Sequence, residues 1–373
     1  LGKLVVEYNQ RELSFEEDVG DAFLGIASLN EAIFGPLHWG VPEAFFDLGM
    51  CWLPSPALRP RQPTNPDRKV PSWSWMGWYG SLDLKLWDVF QDHILENFGD
   101  SNRVPFLGFD MYIEPLVTYY KTCLTCSKQY PISNSYHHSR RWAETFSRTG
   151  SENGGLELPE EWTRHPSTWL DTLPSSYYTR DSEPEEARTL YRYPLLKVPS
   201  EPSPEHTCPS PIFDTTLSFR AQRLFLTISI SSSCKIEKES KNERVLVEAD
   251  TLDGEGVRIG SVGVVDDLAG SGNMNVRVLK GCEFIAISRG RCPARKEGGE
   301  RWAGTWVVGR EHPFRTDVDA SEERLYEWIN VLWVERRDDI AYRKGLGRVW
   351  RQDWERMVDA LVEEEREVDG VLG

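Results

Sequence analysis

The sequence lacks the usual signals that send a chain into or across a membrane. It has no run of about 18 consecutive apolar residues, which a membrane-spanning helix needs. It does not open with a basic stretch followed by an apolar core, the pattern of a secretory signal, and it has no Asn-x-Ser/Thr glycosylation acceptor. These absences predict a cytoplasmic protein that does not associate with membranes.

Basic residues and cysteines are also too few for two further classes of protein. Asp and Glu outnumber Lys and Arg by 59 to 43, giving a net charge of −16. A nucleic-acid partner is therefore not expected, because such partners are held largely by clustered basic side chains. The 7 cysteines follow no framework spacing, which indicates a reducing compartment rather than a disulfide-stapled secreted domain.

Signatures of known active sites are missing as well. The chain contains no G-x-S-x-G, no G-x-x-x-x-G-K-[ST] and no G-x-G-x-x-G at a strand–helix boundary. Carboxylate runs such as Glu16-Glu17-Asp18 are abundant, and solvated turns explain most of them. We predict no catalytic residue, no cofactor and no enzyme activity, with an uncharacterised hydrolase as the second alternative.

One weak candidate for a metal site is present. Cys123 and Cys126 form a C-x-x-C pair, and His137-His138 follow shortly after it. Thiolates and imidazoles are the ligands that tetrahedral zinc prefers, and C-x-x-C supplies two of them from one turn. Since there is no second C-x-x-C and no His-x(3–5)-His, unpaired loop thiols and surface histidines are the favoured interpretation.

Aromatic residues, by contrast, are plentiful. They form 12% of the chain and include 15 tryptophans, so most of the chain is expected to fold. Residues 11–34 combine a Ser14–Glu17 capping box with apolar residues at helical spacing, and residues 41–53 predict a second, shorter helix. The apolar positions of the first helix are Val19, Ala22, Phe23, Ile26 and Ile33.

From residue 213 onward the sequence predicts strands. Segments rich in Val, Ile and Phe are separated by turn residues, which is typical of an antiparallel sandwich or barrel. Gly345-Leu346-Gly347 is interpreted as a tight turn, and residues 351–368 as an amphipathic helix with an apolar stripe. The predicted strands span 223–230, 244–249, 257–265, 275–288, 302–309 and 329–336.

Residues 131–212 differ in composition from both flanks. They are rich in Ser, Glu and Arg, with ten prolines from Pro159 to Pro211, which predicts an insertion or linker. The whole is then an α+β protein, with an antiparallel β-sandwich or barrel-like unit packed with amino-terminal helices and a carboxyl-terminal helix. Residues 1–130 and 213–373 are expected to form one domain, and two domains with a boundary near 130–212 are the alternative.

The segment VPSWSWMGWYG places Trp73, Trp75 and Trp78 within six residues. If residues 72–76 are extended, Trp73 and Trp75 share one face, and Gly77 permits a bend that brings Trp78 in from another direction. Buried rings would pin this segment between helices and sheet. Exposed rings would stack on sugars or bases, or anchor a protein partner. Internal packing is the favoured interpretation.

Three segments of the amino-terminal part of the chain carry a family resemblance. In order along the chain they are YNQRELSFEEDVGDAFLGI (8–26), GVPEAFFDLGMCWLP (40–54) and RKVPSWSWMGWYG (68–80). Together they resemble the region that follows the HET domain in fungal heterokaryon-incompatibility proteins. The segments 282–288 and 330–354 resemble the closing segments of the same proteins. Matching positions are Arg11, Leu13, Ser14, Asp18, Ala22, Gly25, Ile26, Gly40, Pro42, Trp52, Pro71 to Trp75, Gly77, Trp78 and Gly80.

The resemblance implies a non-catalytic regulatory or recognition region that acts in self/non-self recognition and cell-death signalling. No motif of the HET domain proper is present, so the chain resembles the companion region alone, as a fragment of a longer protein or a degenerate relative. An upstream HET domain or another protein is the expected partner, while the trigger and the oligomeric state stay open. A carbohydrate- or small-ligand-binding module that uses the tryptophans is the alternative. Arg11 and Asp18 are expected to pair across the helix start.

Overall fold

The computed structural model describes residues 1–54, 58–65, 68–97, 112–149, 158–166, 176–184, 188–196, 213–230, 236–238, 245–266, 277–294, 296–297, 301–302 and 324–373. The chain divides into two compact units. The main unit comprises Leu1–Trp87, Met111–Ile132 and Thr207–Gly373, and the smaller unit comprises Asp88–Asp110 and Ser133–His206. The proline-rich segment predicted as an insertion or linker thus supplies most of a folded unit.

The helices are α1 (Gly2–Asn9), α2 (Val19–Phe34), α3 (Phe46–Met50), α4 (Ser135–Thr149), α5 (Arg351–Asp359) and α6 (Glu363–Arg366), with 3-10 turns at Glu16–Asp18, Glu43–Phe45, Trp75–Gly77 and Lys85–His93. The short strands of the first half are β1 (Leu37–His38), β2 (Val41–Pro42), β3 (Leu53–Pro54), β4 (Arg59–Pro60), β5 (Trp78–Tyr79), β6 (Leu82–Asp83), β7 (Ile94–Asn97), β8 (Tyr112–Pro115), β9 (Tyr119–Cys123), β10 (Gln129–Pro131), β11 (Trp162–Pro166), β12 (Ser176–Arg180) and β13 (Thr189–Tyr191). The strands of the second half are β14 (Phe213–Ile230), β15 (Ile236–Lys238), β16 (Val245–Leu252), β17 (Arg258–Asp266), β18 (Arg277–Ala294), β19 (Lys296–Glu297), β20 (Arg301–Trp302), β21 (Arg324–Arg337), β22 (Ile340–Trp350) and β23 (Glu367–Leu372).

The main unit is built on a closed ring of six antiparallel strands. The order is β14-β16-β17-β22-β21-β18, and β18 pairs back with β14 to close the ring. The first half of β14 pairs with β9 on one side and β23 on the other. This architecture confirms the predicted α+β fold with an antiparallel, barrel-like unit.

The core of the ring is lined by strand residues that alternate at period two. In β14, Leu224, Leu226, Ile228 and Ile230 are all buried in it, as expected for one face of a strand. Helix α5 closes one side with Trp354 and Val358, two members of the predicted carboxyl-terminal stripe. The helix predicted over 351–368 is too long, because α5 ends at Asp359, α6 covers only Glu363–Arg366, and Glu367 begins β23, which pairs with β14 and β22.

The glycines predicted to form a turn lie inside a strand instead. Gly345 and Gly347 belong to β22, in the part of the chain that pairs with β21. A Cβ at Gly345 would lie 2.6 Å from the carbonyl oxygen of Gly263, and one at Gly347 would lie 2.8 Å from that of Ser261. The glycines therefore allow β22 to approach β17 closely, which the local sequence pattern does not reveal.

The amino-terminal helices differ in detail from the prediction. Helix α2 begins at Val19 after a 3-10 turn, and within its predicted apolar stripe Val19 and Phe23 are buried, whereas Ala22 is exposed and Ile26 is half-buried. The second predicted helix, over 41–53, contracts to a 3-10 turn and the five residues of α3.

The smaller unit has its own sheet and core. Its four strands are antiparallel in the order β11-β12-β13-β7, and Trp142 of α4 packs with Trp162 and Tyr178 of the sheet. The predicted strand over 302–309 falls almost entirely outside the described residues. None of the helices in the described ranges is both long and apolar enough to cross a bilayer.

Candidate functional site

The tryptophan segment is not one extended strand. Ser74 is extended, with φ −81° and ψ 148°, and it caps the 3-10 turn Trp75–Gly77 by accepting a hydrogen bond from the Met76 N–H at 3.0 Å. The same hydroxyl donates to the Trp39 carbonyl at 2.6 Å. A serine capping its own turn replaces the predicted extended conformation of 72–76, and it turns Trp73 and Trp75 in different directions.

Glycine at position 77 is required by a close backbone approach. A Cβ there would lie 2.3 Å from the carbonyl oxygen of Pro71. The Gly77 N–H donates to the Ser74 carbonyl at 3.1 Å, and the Gly77 carbonyl accepts from the Arg61 N–H at 2.8 Å. The motif residues Pro71 and Gly77 thus close a compact loop on which the indoles are mounted.

The indoles of this loop are buried and their N–H groups are satisfied. Trp73 and Trp75 are 0% exposed, and Trp78 is half-buried. Trp52 joins them by donating to the Trp73 carbonyl at 3.1 Å, and we call these four residues the tryptophan clasp. The other acceptors are the carbonyls of Thr215 for Trp73 at 2.9 Å, Gly40 for Trp75 at 3.0 Å and Ser72 for Trp78 at 2.8 Å.

The clasp faces two layers of the main unit. Trp75 makes edge contacts with Tyr8 of α1 and Phe23 of α2, with ring centroids 6.1 and 5.2 Å apart. Trp73 lies 5.8 Å from Phe46 of α3 and donates to the carbonyl that belongs to β14. One short segment therefore joins the amino-terminal helices to the sheet. Each buried indole stabilises this junction in two ways, because it removes a large apolar area from water and its N–H forms a directed hydrogen bond.

A buried arginine completes the clasp from the far end of the chain. The guanidinium of Arg343 lies 3.6 Å from the centre of the Trp52 ring and donates to the carbonyls of Met50, at 2.7 Å, and Trp52. Burial lowers its pKa to about 9. Among the described residues, two carbonyl dipoles and the indole face contact the guanidinium and stabilise its charge.

The carboxyl-terminal strand meets the clasp at Ser72. The Ser72 N–H donates to the Gly373 carbonyl at 3.0 Å, and the Ser72 hydroxyl also donates to it. The same hydroxyl accepts from the Arg343 N–H at 2.9 Å. Residues more than 270 positions apart in sequence are thereby brought to one serine.

A row of polar side chains extends from Cys51 along β18 and β21, on the face opposite to Ile329 and Val331, which lie in the core of the ring. Its thiol lies 3.7 Å from the Ser288 hydroxyl, which accepts from Asn330 at 3.0 Å, and Asn330 accepts from the Trp328 indole at 3.0 Å. Burial raises the pKa of Cys51 to about 11. A nucleophilic cysteine needs a lowered pKa, so this thiol is a packing residue.

Charged and polar side chains gather beside Trp73. His38 stacks on its ring at 5.5 Å, and Lys121 donates to the carboxylate of Glu43. Burial lowers the pKa of His38 to about 3, with the charge of Lys121 acting in the same direction and that of Asp214 opposing it. Burial raises the pKa of Glu43 and Lys121 partly offsets this. The imidazole is therefore neutral near pH 7.

The acidic turn before α2 is not a solvated run of charge. Glu16 binds Arg59 and accepts from the Gln62 N–H at 2.6 Å. Glu17 accepts from the Thr64 hydroxyl at 2.6 Å and from the N–H groups of Thr64 and Asn65 at 3.1 Å. Glu16 and Glu17 together thus fasten the segment 59–65, and Glu17 binds Thr64 and Asn65 in place of the predicted capping box with Ser14. Hydrogen bonding to Thr64 is the main cause that lowers the pKa of Glu17 to about 2.

Asp18 has a different partner from the one predicted. It accepts from Arg68, which also reaches Asp21 at 3.1 Å. Arg11 is exposed just beyond α1, and the expected Arg11–Asp18 pair is wrong. Sequence distance favoured Arg11, whereas the folding back of residues 59–68 brings Arg68 to the helix start.

The zinc candidate is not assembled in the described residues. Cys123 is buried in β9, and Cys126 lies beside the Tyr130 hydroxyl at 3.5 Å. His137 and His138 belong to α4 in the smaller unit, where burial lowers the pKa of His137 to about 4. No group of three or more metal-binding side chains occurs within the described ranges.

One imidazole–hydroxyl pair deserves comparison with a catalytic dyad. His165 Nε2 lies 2.9 Å from the Thr179 hydroxyl on the neighbouring strand of the smaller unit. Thr179 is buried, and His165 stacks on Tyr177 with centroids 4.9 Å apart. A buried threonine cannot meet a substrate, so the pair is a cross-strand structural contact.

The parts of this site that sequence reasoning missed have weak local signals. Arg343 stands in a charged stretch of sequence, and Ser72 is one serine among many. The roles of Arg343 and Ser72 become visible only in the fold, where the carboxyl-terminal strands pack against the tryptophan clasp. No family model, curated protein or solved structure matches this chain.

Proposed function

We propose that this chain is a non-catalytic recognition or regulatory region of the fungal heterokaryon-incompatibility type. The observation that carries the proposal is the burial of Trp73 and Trp75 with both N–H groups bound to backbone carbonyls. The motif that carries the resemblance then serves architecture and leaves neither of these two rings open to stack on a ligand. A rigid scaffold of this kind presents surfaces to a protein partner, and the HET domain is the partner that the resemblance favours.

Two chemical features support a non-catalytic role. The buried thiol of Cys51 has a raised pKa, and His38 is neutral and packed against Trp73. A nucleophilic cysteine needs a lowered thiol pKa, and a general base needs to be accessible and to titrate near neutral pH. Cys51 and His38 do not meet these requirements.

The test is co-expression of this chain with a HET domain as a separate polypeptide in a filamentous fungus. We expect the chain to change the growth arrest caused by the HET domain, and to cause no arrest when expressed alone. Growth arrest that is identical with and without the chain would contradict the proposal.

The carbohydrate- or small-ligand alternative is tested on the purified chain by calorimetric titration with soluble oligosaccharides. We expect no saturable heat, because stacking on Trp73 or Trp75 would require the fold to open. Saturable binding that Trp78→Ala abolishes would favour the ligand-binding alternative, since Trp78 is the half-buried member of the three.

A further inference from the structure

Helix α2 carries more apolar surface than the main unit covers. Its buried side chains in the described set are Val19 and Phe23, which hold it through its first two turns. Two exposed leucines flank this buried side, Leu29 at 79% on one flank and Leu24 at 58% on the other. An amphipathic helix of a globular protein normally hides such a face.

The exposed residues form a stripe at the spacing of a helix interface. Ala22, Gly25, Ile26 and Leu29 stand at i, i+3, i+4 and i+7 and lie on one side of α2. Ala22, Gly25 and Leu29 are exposed, and Ile26 is half-buried. A Cβ built on Gly25 would meet nothing within 4 Å, so a second helix has room to approach closely there.

The charges around the stripe select the kind of partner. No Lys or Arg occurs in α2 itself, and its carboxylates are Asp21, which Arg68 binds near the amino-terminal end, and Glu31 near the carboxyl-terminal end. The last turn of α2 has no basic residue, and Glu31 is exposed there. The negative end of the helix dipole is therefore uncompensated by the helix itself, and a cation from outside would be favourable at this end.

We propose that the α2 stripe (Ala22, Gly25, Ile26 and Leu29) is a docking surface for an amphipathic helix of a partner protein, with Lys or Arg beside its apolar stripe. The basic residues meet Glu31 and the carboxyl end of α2, while the apolar stripe covers Leu29. A second copy of this chain is a poorer occupant, because it would bring two acidic helices together. The inference rests on the proposed recognition function and names its surface.

Synthetic peptides of the length of α2, 16 residues, provide the probe. The first has a leucine stripe at helical spacing flanked by lysines, the second has glutamate in place of each lysine, and the third has the composition of the first in scrambled order. Fluorescence anisotropy measures binding of each labelled peptide to the full chain. We expect the lysine-flanked peptide to bind at least about tenfold more tightly than either of the others.

Variants of the full chain locate the binding. Leu29→Asp should weaken binding of the lysine-flanked peptide by about tenfold or more. Leu124→Asp is the matched control, because Leu124 is a comparably exposed leucine at 59% outside α2, and it should leave binding unchanged. Both variants add negative charge, so non-specific attraction of a basic peptide would strengthen in both.

Other outcomes overturn the proposal. Absence of binding, equal binding of the three peptides, or equal effects of the two variants would each do so. A dimer that light scattering detects in the wild type and that Leu29→Asp dissociates would identify a second copy as the occupant. If Leu29→Asp abolishes peptide binding but HET-driven growth arrest is identical with and without the wild-type chain, the recognition function fails while the surface stands. If the chain modulates arrest and no peptide binds, recognition uses another surface.

Discussion

At the scale of single residues, Arg343 shows how carbonyl groups and an indole ring hold a buried cation. Its planar guanidinium covers the Trp52 ring and donates to two carbonyls at once. We expect Arg343→Lys to lower the free energy of unfolding by about 2 kcal/mol, because an ammonium cannot keep both hydrogen bonds and the stacked geometry. Urea denaturation at pH 7 measures this. Arg337→Lys, on an exposed side chain, should change it by less than about 0.5 kcal/mol, and equal effects would refute the assigned role.

Gly77 makes a second prediction at this scale. We expect Gly77→Ala to lower the free energy of unfolding by about 2 kcal/mol, since the added methyl would press on the Pro71 carbonyl. Gly25→Ala is the control in open space within a helix, and it should be neutral or stabilising by up to about 1 kcal/mol. Thermal unfolding of the two variants side by side decides the matter. A Gly77→Ala variant as stable as the wild type would show that the loop can relax.

At the scale of elements, the acidic turn acts as a fastener for the segment 59–65. We expect Glu17→Gln to loosen Thr64 and Asn65, because a neutral amide accepts hydrogen bonds from these residues more weakly. Hydrogen exchange of the Thr64 and Asn65 amides at pH 7 should then be faster than in the wild type. Glu31→Gln, at an exposed carboxylate of α2, is the matched control and should not change these exchange rates.

The same fastener has a defined pH dependence. The pKa of Glu17 is lowered from 4.5 to about 2 in the folded state, so its contribution is present above pH 4.5 and is lost as the pH falls toward 2. NMR shifts of the Thr64 and Asn65 amide protons should follow this titration. A midpoint near 4.5 would contradict this role of Glu17, because it would mean that Thr64 and Asn65 do not bind the carboxylate when the protein is in solution.

Elements also show what the sequence can and cannot reveal. Apolar alternation correctly predicted the second half of β14, and apolar positions one helical turn apart predicted α5, because burial on one face leaves a local pattern. Gly345 and Gly347 were misread because a glycine that admits a neighbouring strand looks the same in sequence as one that makes a turn. Burial of Trp73 and Trp75 was the favoured interpretation and is confirmed. The binding of Arg343 to the clasp depends on contacts across most of the chain, which no local pattern records.

At the scale of the whole molecule, the two ends of the sequence are one structure. The ring, the amino-terminal helices and the clasp all belong to the main unit, whereas the proline-rich middle belongs largely to the smaller unit. Motifs at both ends therefore bracket a single packing arrangement centred on Ser72, Trp52 and Arg343. The segments on which the proposed resemblance rests, residues 8–80, 282–288 and 330–354, all lie in this main unit.

Stability of the main unit should fall as the solution becomes mildly acidic. The folded state keeps His38 neutral down to a pKa of about 3, whereas an unfolded histidine takes up a proton near pH 6.5. Below that pH the unfolded chain binds more protons, so the free energy of unfolding should fall by up to about 1.4 kcal/mol per pH unit through this residue. Glu43, whose pKa is raised, acts in the opposite direction, and Lys121 and Asp214 supply the surrounding charge.

His38→Gln separates these contributions, because it removes the titration and leaves Glu43, Lys121 and Asp214 in place. Urea titrations at pH 7.5, about 6 and about 5, followed by hydrogen exchange of peptides from the main unit, keep unfolding of the smaller unit out of the measurement. The variant is expected to lose some stability at pH 7.5 and to have a shallower decline toward pH 5 than the wild type. Parallel declines would mean that His38 takes up its proton in the folded state, and that the stack on Trp73 opens more readily than its burial implies.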